Sequence, residues 1–243
     1  MAWTQNRAAP LLGALWAREG DHDRCADQAV IAYGLRSRAL AACLSALAGY
    51  VDALGFLKLR GFFVSFMSGD STRLGVALGV GHGLDVAKTA AGLVAAFMIG
   101  VMLGAFVSAK AKRRRRVTVL GLVAGLLTLA AALAALHWDR AAVAAMALAM
   151  GAENATFEQN GEVSVGLTYM TGALVKTGQR LVMALLGGDR WAWLASLVLW
   201  VGLVCGAVLG ALAYATLGLG GLWFAAGAAA LLTLAAQRLA PED

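Results

Sequence analysis

Hydrophobic residues run through this chain in long blocks, and the polar residues gather between them. Apolar runs cover about 39–57, 88–109, 117–137, 141–157, 191–216 and 221–237. A helix needs about 20 mainly apolar residues to cross a bilayer, so the pattern predicts six membrane helices. One polar stretch breaks the rhythm between the first two blocks: Gly61-Phe-Phe-Val-Ser-Phe-Met-Ser-Gly-Asp-Ser-Thr-Arg-Leu-Gly75. A second copy follows the fourth block as Ser164-Val-Gly-Leu-Thr-Tyr-Met-Thr-Gly-Ala-Leu-Val-Lys-Thr-Gly178. Met67-Ser68-Gly69 falls on Met170-Thr171-Gly172, Arg73 on Lys176 and Gly75 on Gly178.

The copying extends beyond these two stretches. Gly49-Tyr-Val-Asp-Ala53 is answered by Gly151-Ala-Glu-Asn-Ala155, which sets Asn154 opposite Asp52. Gly100 and Gly104 are answered by Gly202 and Gly206, and Gly125 by Gly227. A register that holds to within a residue or so over this length marks an internal repeat. The chain divides into an N-terminal segment, 1–37, a first repeat, 38–137, and a second, 138–243.

Composition removes the soluble alternatives. Of the 243 residues 60% are hydrophobic and 14% charged, and the mean hydropathy is +0.74. Soluble domains run at about 45–50% apolar and about 25% charged. The two prolines, Pro10 and Pro241, lie outside every block. The net charge of +6 is no nucleic-acid signal, because the basic residues sit at block ends. Lys110-Ala-Lys-Arg-Arg-Arg-Arg116 reads as a cytoplasmic anchor under the positive-inside rule, with anionic lipid as a minor contact. If the two polar stretches dip into the membrane and return, fifteen of the twenty Lys and Arg lie inside. If each crosses, the two sides come out about even. The count favours three crossings per repeat, and an odd number forces the second repeat to be inverted. Both termini then lie in the cytoplasm. Residues 1–37 read as a short amphipathic cytoplasmic segment rather than a secretory signal.

Each polar stretch reads as an extended piece followed by a helix start. Ser68 or Asp70 is placed to cap the first short helix, which would run to about Gly81, and Thr171 the second. Such a helix is about 20 Å long, well short of a core of about 30 Å. Non-helical backbone at this depth survives only buried in protein or lining a cavity. Half-helices from inverted repeats, with N-termini near the midplane, are the construction of secondary-transporter sites. Their amide ends suit an anionic group, and Arg73 and Lys176 would add to that field. The expected solute-binding residues are Asp52, Ser65, Ser68, Gly69, Asp70, Arg73, Asn154, Tyr169, Thr171, Gly172 and Lys176. Asp52 and Glu153 are the candidate proton carriers, since charged groups at membrane depth are costly and functional by default. A purely structural account exists as well. Arg73 could pair with Asp52 or Asp70, and Lys176 with Glu153 or Glu158. Tyr50, Phe66 and Tyr169 could simply pack against the broken helix. Cys25, Cys43 and Cys205 are far apart, as are His22, His82 and His137, so no metal ligands, cofactor or catalytic cluster is expected.

The phrases Gly49-Tyr-Val-Asp-Ala53, Phe63-Val-Ser-Phe-Met-Ser-Gly-Asp70 and Leu74-Gly75 carry a resemblance. Over about 38–237 the chain resembles the YoaK-like family of bacterial multispanning membrane proteins of unknown function. Asp70 stands where that family usually has asparagine. The resemblance implies a six-span membrane protein and says little about substrate; the expected location is the bacterial inner membrane.

The residues thus lead to an all-α integral membrane protein with six transmembrane helices. These form two inverted three-helix repeats, each with a broken or re-entrant half-helix. The expected function is a secondary transporter or facilitator of a small solute. A passive channel or a structural membrane protein is the competing class. Asp52 and Asp70 are also distantly similar to the paired aspartates of intramembrane aspartyl proteases. Met67 stands where that motif needs glycine, however, and no Pro-Ala-Leu phrase occurs. The expected partners are the solute or ion, the lipid bilayer and a second copy through the glycine-rich faces.

Overall fold

The computed structural model describes residues 35–81, 83–111, 114–159, 162–163 and 170–238. The expectations for residues 1–34 and for Tyr169 fall outside them. Eight α-helices occupy the described residues: α1 Leu35–Lys58, α2 Met67–Gly79, α3 Leu84–Ala111, α4 Arg115–Ala135, α5 Asp139–Glu153, α6 Met170–Leu185, α7 Ala192–Leu217 and α8 Leu222–Arg238. Four helical stretches are long and apolar enough to cross a membrane: Ser37–Lys58, Leu84–Ala111, Arg115–Ala135 and Ala192–Arg238. The last is 47 residues long and holds both α7 and α8, parted by a 3-10 turn at Gly218–Gly221. A similar turn, Asn154–Phe157, continues α5. Beyond it Glu158–Gln159 pairs with Glu162–Val163 as a minimal antiparallel ladder. The protein is an all-α integral membrane protein, and the apolar blocks located its long helices to within a few residues.

Close helix packing is built on glycine. Ala42, Ala46 and Tyr50 of α1 meet Gly202, Gly206 and Gly210 of α7 in the same order, so the two helices run parallel. A Cβ on Gly206 would lie 1.9 Å from the Ala46 carbonyl oxygen, and one on Gly210 2.3 Å from that of Tyr50. From the other side, a Cβ on Gly49 would lie 2.1 Å from the Leu203 oxygen. The pair α3 and α5 is built alike: Gly100 faces Leu148, Gly104 faces Ala152 and Gly151 faces Phe97. Small residues let backbones approach where lipid gives helices no hydrophobic reason to associate.

These contacts shift one correspondence read from the sequence. Gly206 and Gly210, rather than Gly202 and Gly206, do for α7 what Gly100 and Gly104 do for α3. The slip is four residues, about one helical turn, so the glycines still face the partner helix. Along α1 and α5 the burial pattern keeps a spacing of 102 residues. Every buried position from Leu40 to Gly55 has a buried counterpart 102 residues on, from Ala142 to Phe157.

The core lies where α1, α4, α5 and α8 converge, with Leu44, Val51, Leu54, Leu120, Leu127, Met146, Met150 and Leu222 fully buried. The Tyr50 hydroxyl donates to the Gly221 carbonyl at 2.9 Å and pins the start of α8 to α1. Two polar contacts fix which helix ends lie together. Arg116 Nη1 donates to Ser37 Oγ at 3.5 Å, joining the first turns of α4 and α1. Lys58 pairs with Asp139, joining the last turn of α1 to the first of α5.

Candidate functional site

After α1 the chain turns sharply. Gly61 N–H reaches back to the Phe56 oxygen (2.8 Å), with Arg60 in the left-handed region at φ 54°. Gly61 follows at φ +113°, where a side chain would be strained and would press on the Arg73 guanidinium, 3.0 Å from its Cβ position. Residues 62–66 are then extended or bent before α2 begins.

Two carboxylates hold this piece. Asp52, late in α1, accepts from the amides of Val64 (2.7 Å) and Ser65 (2.9 Å), both through Oδ1. Asp70, fully buried in the first turn of α2, accepts from the Phe63 amide at 3.2 Å. The backbone here has no helix or ladder partner, and buried amides left unpaired are costly, so the carboxylates supply what secondary structure does not. Asp70 Oδ2 is buried with no hydrogen-bond partner. Phe63 packs on Phe56 (4.9 Å between ring centres) and edge-on to Phe66 (5.3 Å), and Gly69 lets Phe66 and Phe63 close over it.

The expected caps are not used as written. Phe66 is the N-cap of α2, and no side chain caps that end. Ser68 is exposed within the first turn, while Asp70 bends back to Phe63. A capping side chain normally serves the helix it precedes; here the carboxylate serves the strand-like approach instead. Arg73 forms no ion pair with Asp52 or Asp70 among the described residues. Its guanidinium lies over the Phe62 ring, 5.1 Å from the centre, a cation–π contact.

Asp52, Ser65, Gly69, Asp70 and Arg73 are therefore brought together around 61–66, with Ser68 on the open side. The second-half candidates are arranged differently. Asn154 is buried and donates to the Met150 carbonyl at 3.0 Å, a bond within its own helix. Thr171 and Gly172 are exposed in the first turn of α6, and Lys176 is partly buried one turn on. Met170, at the head of α6, rests against α1, where Ser45 Oγ lies 3.7 Å from its sulfur and 2.8 Å from the Leu199 carbonyl it donates to. Glu153 is wholly buried, and neither of its oxygens has a hydrogen-bond partner, so the proposed Lys176–Glu153 pair is not made. Thr156, also wholly buried, has an unpartnered hydroxyl. Thr156 escaped the sequence reading, although aligning the halves shows it: Val51 and Leu54 occupy the positions of Glu153 and Thr156. Among the described residues no three His, Cys, Asp or Glu gather to hold a metal.

Helices packed through glycine, with buried carboxylates bracing an interrupted segment, define a polytopic α-helical membrane protein. The chain belongs to the family described as protein of unknown function DUF1275, which it matches over residues 40–235. It is similar to the UPF0700 transmembrane protein RA0705 of Rhizobium meliloti (strain 1021), 40% identical over 203 residues, 83% of this chain and 86% of that one. The resemblance carried by Gly49–Ala53 and Phe63–Asp70 is to this same bacterial membrane family. No solved structure matches the chain.

Proposed function

We propose that the protein is a secondary transporter or facilitator of a small solute, with an anion as the class its site suits. It would sit in the bacterial inner membrane with both termini in the cytoplasm. In this reading six helices cross, as two inverted repeats of three, and α2 and α6 are half-helices. The observation that carries it is the pair of end contacts. Ser37 with Arg116 sets the start of α1 beside the start of α4, and Lys58 with Asp139 sets the end of α1 beside the start of α5. Because α3 leads into α4, its own start lies on the side where α1 ends. The stretch 59–83 then enters and leaves on one side. At about 1.5 Å per residue, the 13 residues of α2 reach only about 20 Å. Helix α5 is 15 residues long, and its 3-10 turn extends it towards a full crossing of about 30 Å. Parallel pairing of α1 with α7 and of α3 with α5 fits the same arrangement.

The solute would meet the open first turns of the half-helices at Ser68, Thr171 and Gly172, with Arg73 and Lys176 adding positive charge. Asp52 and Asp70 are positioning residues in this scheme, since their oxygens already hold the amides of 63–65. That engagement also argues against a proton-sharing protease dyad, and the protein is read as no enzyme. A thermal-shift screen of small anions on the purified protein tests the proposal. A solute at a hundred-fold excess over its Kd adds about 2.7 kcal/mol of apparent stability. We expect one such solute to stabilise the wild type, to enter proteoliposomes, and to do neither with Arg73→Ala. Flux of that solute unchanged in both Arg73→Ala and Lys176→Ala would take the site out of the half-helices.

A further inference from the structure

The two halves differ sharply at one place in the core. Where the first half buries Val51 and Leu54, the second buries Glu153 and Thr156, all four without exposure. Glu153 ends α5 and Thr156 lies in the 3-10 turn that continues it, so the two are three residues apart and on one side. Both carboxyl oxygens and the hydroxyl lack hydrogen-bond partners. The described charged side chains on the helices around them are Arg38, Asp52 and Lys58 of α1, Asp85, Lys88 and Lys110 of α3, and Arg115 and Arg116 of α4. None pairs with Glu153. Arg116 lies over the Phe157 ring at 5.4 Å, one turn further towards the face where α4 begins.

An unpaired carboxyl at such a site costs far more than the valine its counterpart holds, and it returns no hydrogen bond. Packing therefore gives no reason for it. We propose that Glu153, with Thr156 beside it, is a proton-binding site that loads and unloads from the Arg116 side. The reaction is a reversible protonation: one Glu153 oxygen takes a proton from water, and the Thr156 hydroxyl donates to the other in the charged form. A hard metal cation takes about six or more oxygens, and three are present here; a proton needs one. Asp52 cannot serve equally, because its carboxylate is committed to Val64 and Ser65. As the site of the coupling proton, this inference rests on the transport reading; as a proton-binding site it does not.

The test is an infrared titration of the full-length protein in lipid vesicles, following the carbonyl stretch of protonated carboxyl groups. A band that titrates reversibly in the wild type and in Asp52→Asn should be missing from Glu153→Gln and shifted in Thr156→Val. A band unchanged in Glu153→Gln overturns the site. Glu153→Val, which installs the first half's residue, should unfold at a higher temperature than the wild type; a lower one would mean that the carboxyl is structural and would also overturn it. Sodium chloride that stabilises the wild type at fixed pH, but not Glu153→Gln, would replace the proton with sodium. With a solute found by the anion screen, wild-type vesicles should acidify or alkalinise as it moves, and Glu153→Gln vesicles should not. A titrating Glu153 band with no transported solute keeps the site and sinks the transport reading. Solute flux still coupled to protons in Glu153→Gln keeps the transport reading and takes the coupling proton away from Glu153.

Discussion

Gly206→Ala should loosen the bundle by about 2 kcal/mol or more, although alanine is the better helix former by roughly 0.5–1 kcal/mol. The added methyl would stand 1.9 Å from the Ala46 carbonyl oxygen, which is backbone and cannot turn away. Helices α1 and α7 must part, and the contacts at Gly49 and Gly210 go with them. Gly151→Ala should act alike, since its Cβ would meet the Phe97 oxygen at 2.2 Å. Gly121 has nothing within 4 Å, so Gly121→Ala should be neutral or stabilising. Reversible unfolding in mixed detergent, followed by circular dichroism, reads all three. Equal tolerance at the three positions would mean that the parallel helix pairs are not the frame of the protein.

Asp52→Ala should be the most damaging change near the interrupted stretch. It removes the acceptor for two amides, Val64 and Ser65, which have no helical partner. Hydrogen bonds to charged groups contribute about 1.5–3 kcal/mol each, so a loss of about 3 kcal/mol is expected. The loss should be local first: amide hydrogen exchange across 62–66 should speed up before the long helices respond. Asp52→Asn keeps a carbonyl acceptor and should lose less. If Asp52→Ala left exchange over 62–66 unchanged, Asp52 would not be the brace, and a role towards solute would be the better account.

The long helices were legible because lipid imposes one rule on every residue of a crossing, and the apolar blocks obey it. The interruption at 61–66 was legible too, since a polar run copied a hundred residues on stands out from such a background. What this interruption does with its polar groups was less so. The cap rule looks to the residue before a helix, whereas Asp70 bends back to Phe63 and Asp52 reaches it from another helix. Such contacts depend on how α1 and α2 are placed, which local pattern does not encode. The glycine register misled for a related reason: Gly202, Gly206 and Gly210 recur every four residues, so a slip of one turn leaves the pattern looking intact. Glu153 was visible as an acid at membrane depth. That no cation among the described residues pairs with it became apparent only once the helices were packed.

Whether 59–83 returns to the side it left is the point on which the inverted arrangement stands. A variant with its native cysteines replaced, carrying single cysteines at Arg60, Asp85 or Arg114, can be labelled in intact cells with a membrane-impermeant maleimide. Arg60→Cys and Asp85→Cys should both label from outside, and Arg114→Cys only after the cells are opened. Labelling of Arg60→Cys and Asp85→Cys from opposite sides would make α2 a full crossing, and the paired half-helix site would fall with it.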